Sequence, residues 1–287
     1  MTITRGFGRR PRLSDVETER RMLQAGVRFV AEQGLSLSLE HLSIEELIQA
    51  AGVSRTSSYR RWPTKDLFGA DLLLLLASAT ELSGEIAGLS DALASIDLEL
   101  LKSIDTEQGR RDAVVAILRV VMETDFLAML DSTEWRQYTA LRAAHVGLPD
   151  SDLRERVASE LRDAERRFTQ ARATALQVLT SLVGYRLRCP DADAWERLSL
   201  TLGAVSTGML VRGYSDPEAV RSTTTLSPFG SSVAAPWSVA TLASVGILLD
   251  SVEPDPTLMW DEARIAALRA RVADIEGTIR HVQGRPG

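Results

Sequence analysis

The apolar positions of this chain recur at steps of three and four along most of its length, the period of an amphipathic helix. From about 15 to 33 the repeat is Met22, Ala25, Phe29 and Val30, and Gly34 stops it. Ser43-Ile-Glu-Glu46 is a capping box, in which the Ser43 hydroxyl accepts from the Glu46 amide. It opens a helix whose apolar stripe is Ile44, Leu47, Ile48 and Ala51. Gly52 closes that helix and Ser54 caps the next. Pro63 ends the third, and Thr64 caps a fourth that carries Leu67, Phe68, Leu72, Leu75, Leu76 and Ala79. Three helices over 15–62, with a tight turn between the second and third, are the helix-turn-helix arrangement.

Beyond this head the pattern stays helical and no strand is expected. Helices are predicted at about 91–104, 109–130 and 132–146, then a long one at about 150–187, which Cys189-Pro190 breaks. Another runs from about 191 to 213. Residues 214–236 hold twelve Ser, Thr, Gly or Pro out of twenty-three, the composition of a long loop. An apolar helix follows at about 237–252. After Pro254-Asp-Pro256 a last helix repeats its apolar residues at heptad steps from Ile265 to Val282, a seam for the protein's own body or a partner subunit. The expected fold is all-α. A basic flexible arm (1–13) precedes a helix-turn-helix domain (14–66), a helical regulatory and dimerisation domain (67–256) and an extra C-terminal helix and tail (257–287).

The third helix contradicts the apolar rule. Between Ser54 and Arg61 its surface is almost all hydroxyls and guanidiniums, so it buries little within the fold. In a helix-turn-helix the second helix of the pair lies in the DNA major groove, which accounts for such a surface. Arg55, Thr56 and Ser57 occupy its first turn, where side chains reach base edges; arginine pairs bidentately with guanine, and the threonine methyl touches that of thymine. Tyr59, Arg60, Arg61 and Lys65 lie further along, toward the flanking phosphates. Ser43, Ser54 and Thr64 begin helices, whose amides suit an anionic oxygen. Trp62, beside Pro63, reads as core.

Charge agrees with this division. Net charge is −6, yet residues 1–70 carry eleven Lys/Arg against eight Asp/Glu and the remainder twenty-two against thirty-one. A basic head on an acidic body suits a head that meets a polyanion.

The stretch "LSIEELIQAAGVSRTSSYRRWPTKDLF", residues 42–68, resembles the DNA-binding domain of the TetR family of transcriptional regulators. Ala51, Gly52, Val53, Ser54, Tyr59, Arg60, Arg61, Trp62, Thr64, Lys65 and Asp66 match the family pattern, over about a fifth of the chain. The sequence departs from it where Thr56 replaces a glycine and Ser58 an aliphatic residue. Thr56 limits close backbone approach to DNA, and Ser58 lessens the packing of the recognition helix.

The resemblance implies a helical C-terminal domain that dimerises through its last helices and often holds a small effector, with repression as the default. Two copies also follow from geometry, since paired recognition helices about 34–36 Å apart read successive major grooves. Trp195, Leu198, Leu202, Val205, Met209, Val239, Leu242, Val245 and Leu249 are the dimer candidates. Met122, Phe126, Met129, Trp135 and Tyr138 are the candidates for an apolar effector pocket.

Other classes find little support. The chain lacks G-x-S-x-G, a phosphate-binding glycine loop and H-E-x-x-H, and His41, His145 and His281 lie far apart, so neither catalysis, a metal nor a cofactor is expected. No apolar run exceeds six residues, against about twenty for a membrane span. A single cysteine, Cys189, fits a reducing cytoplasm. The alternative is a helical ligand-sensing or protein-interaction dimer with a vestigial DNA-binding head.

Overall fold

The structure, a computed structural model, describes residues 14–34, 42–80, 82, 103–104, 106–148 and 150–273. The basic arm, most of the helix expected at about 91–104, His41, His281 and the last helix beyond 273 lie outside them. The described chain is mostly helical and divides into two compact units. One comprises 1–80 and 137–162, the other 81–136 and 163–287.

In the first unit, helices α1 (Asp15–Gln33), α2 (Ile44–Ala51), α3 (Arg55–Arg61) and α4 (Lys65–Ser78) follow one another at short intervals. Each starts on a hydroxyl that satisfies an otherwise unpaired amide. Ser14 Oγ accepts from Glu17 N–H at 3.1 Å, Ser43 Oγ from Glu46 at 3.3 Å, Ser54 Oγ from Ser57 at 3.0 Å and Thr64 Oγ1 from Leu67 at 3.4 Å. Gly52 takes a left-handed conformation (φ 62°, ψ 35°) that a side chain would strain, and so turns the chain between α2 and α3. α1 packs against α2, α3 and α4. Their shared core includes Met22, Val30, Leu47, Trp62, Phe68 and Leu72. Trp62, only 2% exposed, meets Phe68 edge to face at 5.1 Å and donates its Nε1–H to Asp71 at 2.9 Å. It is a core residue, as its bulk beside Pro63 suggests.

Further along are α5 (Glu107–Asp131), α6 (Thr133–Val146) and α7 (Ser151–Leu182), and the boundary between the units falls within α6 and within α7. The second unit continues with β1 (Tyr185–Leu187), α8 (Ala194–Ser215), α9 (Pro217–Arg221), β2 (Thr223–Leu226), β3 (Ala235–Ser238), α10 (Val239–Ser251), β4 (Val252–Pro254) and α11 (Glu262–Ala273). α5, α8 and α10 pack on one another around Leu118, Leu202 and Leu248, each at most 1% exposed.

Two expectations are corrected here. The long helix stops at Leu182, and residues 185–187 pair antiparallel with 252–254. The loop expected over 214–236 contains α9 and β2, and β2 pairs antiparallel with β3. Every residue of β2 is exposed, so the apolar alternation that marks a half-buried strand is absent from Thr-Thr-Thr-Leu. Ile265 and Leu268 pack on the second unit's own core, which settles the side that the first turns of the last helix face. Among the described residues no helix is long and apolar enough to cross a membrane.

Two polar groups hold this unit together. Asp112 of α5 accepts from Ser231 Oγ, Ser232 N–H and Oγ, and Gln108 Nε2 at 2.7–3.0 Å, which clamps the loop between β2 and β3. Arg172 of α7, 8% exposed, reaches Asp125 of α5 at 3.0 Å. Burial pushes the Asp125 carboxyl above the usual carboxylate range, against the opposing pull of Arg172.

Candidate nucleic-acid interface

α3 has seven residues, Arg-Thr-Ser-Ser-Tyr-Arg-Arg, and only Ser58 is buried. Its hydroxyl donates to Ser54 O at 3.0 Å, so the polar group standing at an inward position is satisfied within the helix. Ser57 is half-buried and Ser54 Oγ donates to its Oγ at 2.8 Å. Arg55, Thr56, Tyr59, Arg60 and Arg61 are exposed. The hydroxyl-and-guanidinium surface therefore points outward, with Ser58 and Trp62 as its anchors. Ser43 and Thr64 cap α2 and α4, and half-buried Lys65 starts α4.

The cations of this face are matched by acids of neighbouring helices. Glu45 of α2 accepts from Arg55 Nε at 2.7 Å through one carboxylate oxygen and from the Tyr59 hydroxyl at 2.9 Å through the other. These two bonds hold the Glu45 carboxyl below the usual carboxylate range, and the same contact pushes the Tyr59 phenol up. Arg60 pairs with Asp15 of α1. Arg61 reaches Glu19 of α1 at 3.1 Å and Asp71 of α4 at 2.9 Å. Exposed pairs of this kind are individually weak and exchange readily for another anion.

Glu45 stays exposed to solvent and at the same time fixes two side chains of α3. If duplex DNA meets this face, Glu45→Gln should bind random duplexes several-fold more tightly, because a negative charge leaves the surface that phosphates would approach. It should also discriminate less between duplexes, because one neutral amide oxygen is left to hold both Arg55 and Tyr59, and it orients them less firmly. Titration of matched operator and scrambled duplexes against both proteins reads the two effects separately; a binding curve unchanged on both would contradict them.

The body candidates fare differently. Leu198, Leu202, Val245 and Leu249 lie in the second unit's own core at 7% exposure or less, so they do not face a partner. Trp195, Val205, Met209 and Leu242 are half-buried, and Val239 is exposed. The apolar residues that α8 turns outward are Leu200 and Val211, with Ala204 and Gly208 exposed between them. Met122, Phe126, Met129, Trp135 and Tyr138 are all buried, at 6% exposure or less. Trp135 stacks edge to face on Phe168 at 5.0 Å. These five side chains are core, and none of them lines the recess between residues 107–111 and 254–260.

The chain matches no family model, no curated protein and no solved structure.

Proposed function

We propose that this protein is a sequence-specific DNA-binding transcriptional regulator of the TetR type, most simply a repressor, which acts as a homodimer. A small apolar or amphipathic effector releases it from operator DNA. The observation that carries the proposal is the outward face of α3, which offers Arg55, Thr56, Tyr59 and Arg60 from a helix whose buried residue is Ser58 and whose C-terminal cap is Trp62. A short helix beyond a glycine turn, with its first-turn arginine exposed, fits base reading in a major groove. Arg60, Arg61 and Lys65 fit the phosphates on either side. The exposed strip Leu200, Ala204, Gly208 and Val211 on α8 suits close packing against a second copy.

One observation favours the second reading, a helical ligand-sensing or protein-interaction dimer with a vestigial head. Residues 14–66 carry seven Lys/Arg against eight Asp/Glu, so the basic excess of the head resides in the four arginines of the arm.

Selection of bound fragments from the host genome separates the two. A DNA reader should enrich inverted repeats whose half-sites are about one helical turn apart or a multiple of it. A vestigial head should enrich no common sequence. Arg55→Ala should then relax preference at one base pair per half-site, by about 1–3 kcal/mol each. Competition among operators that differ at single positions checks this; an equal loss on every sequence would assign Arg55 to phosphate instead.

A further inference from the structure

Within the second unit a recess of about 700 Å³ opens between the start of α5, the turn after α7 and the segment that links β4 to α11. That volume is of the size that takes a small organic ligand. The recess is built rather than incidental. Gly184 has φ 76°, and a Cβ there would lie 2.5 Å from the Trp260 ring, so only glycine lets the indole sit directly on the backbone. The Arg110 and Arg264 guanidiniums stack near the same ring, at 5.8 and 5.0 Å from its centre.

Arg111 is a cation of this lining whose hydrogen-bond partners are neutral. It is half-buried, its Nε donates to Phe229 O at 2.6 Å and its Nη1 to the Tyr185 hydroxyl at 3.3 Å. Both partners are neutral oxygens, and among the described residues no carboxylate pairs with it. A partly desolvated cation held by neutral acceptors gains from an added anion. The acids of the lining do not supply it: Asp255 is engaged by the Thr257 amide and hydroxyl, at 2.9 and 2.7 Å, and Glu107 belongs to the first turn of α5. The lining sets Arg110 and Arg111 against Glu107 and Asp255, so it offers no surplus of positive charge to a guest that carries more than one negative charge. Leu258, Pro256 and Trp260 supply a flat apolar wall.

We infer that this recess binds a small aromatic monocarboxylate, its carboxylate on Arg111 and its ring against Trp260 and Leu258. Binding itself is independent of any DNA-related role; that the guest is the effector rests on the regulator reading. The inference also gives a use to the segment beyond β4, which holds the indole over the site.

The test uses 2-naphthoate, neutral 2-naphthamide and 2-naphthyl phosphate with the full chain, by calorimetry and by the indole N–H resonances of the tryptophans. 2-Naphthoate should bind and move the Trp260 resonance, and the amide and the phosphate should each bind about tenfold more weakly or worse. Arg111→Met should abolish the preference for the acid, and thermal unfolding of that variant checks that it folds. Should it not fold, the three-ligand comparison on the unaltered chain still decides. Equal binding of acid and amide, or a carboxylate that leaves Trp260 unmoved, would overturn the assignment. If 2-naphthoate binds at Trp260 without altering operator affinity, the site stands and only its effector role falls.

Discussion

Trp62→Ala should cost the first unit about 3–5 kcal/mol, since a large side chain at 2% exposure leaves a cavity that its neighbours fill only in part. The effect is compounded by what the indole holds. Phe68 loses its edge-to-face partner, and Asp71 loses a hydrogen bond while keeping Arg61. Arg61 also lies 5.2 Å from the same ring, so the end of α3 loses an apolar neighbour. A loss of this size is a large share of an ordinary domain's 5–15 kcal/mol. Urea unfolding followed by the amide resonances of α1–α4 measures it. Trp62→Phe should recover much of the difference, whereas a shift of under about 1 kcal/mol for the alanine variant would mean that Trp62 does not anchor α3.

Asp125→Ala should destabilise the second unit by a comparable amount, about 3–5 kcal/mol, because it leaves the Arg172 guanidinium buried with no counter-charge. Nη1 of Arg172 already has no hydrogen-bond partner among the described residues, so the group has no second acceptor to turn to. Asp125→Leu combined with Arg172→Met should restore most of the stability, since an apolar pair of similar bulk removes the desolvation cost of both charges. A double variant as weak as Asp125→Ala would show that the ion pair itself, and not the stranded charge, sets the stability. Chemical unfolding of the three proteins under one buffer makes the comparison.

The sequence disclosed what local chemistry decides. The hydroxyl caps Ser43, Ser54 and Thr64 and the left-handed Gly52 each act within three or four residues, so their types and spacing suffice to place α2, α3 and α4. The inward Trp62 follows from size alone. What joins distant segments was not legible. Arg55 meets an acid ten residues away, Arg61 one forty-two away, and any of several carboxylates on α1 and α2 would have served on composition. β1 and β4 have three residues each, too few to establish a period of two, and they pair across sixty-seven positions at Arg186 and Glu253.

Four of the dimer candidates, Leu198, Leu202, Val245 and Leu249, are core for a different physical reason. α8 is apolar on more than one side, with Leu198 and Leu202 inward and Leu200 and Val211 outward, so helical spacing alone does not distinguish the core face from an exposed one. The methionine and aromatic residues from Met122 to Tyr138 raised the same ambiguity, and packing turned them into core. The recess under Trp260 depends on Gly184 and on a segment some seventy residues later, a pairing that no local pattern encodes.

Equilibrium binding of the full chain to its selected operator and to a scrambled duplex, over a series of salt concentrations, tests the proposed DNA-reading role of α3 most directly. Tight operator binding should weaken by about tenfold or more between 50 and 200 mM salt, with the operator preferred throughout. Equal affinity for both duplexes, or no measurable binding to either at low salt, would contradict a face on α3 shaped to enter the double helix.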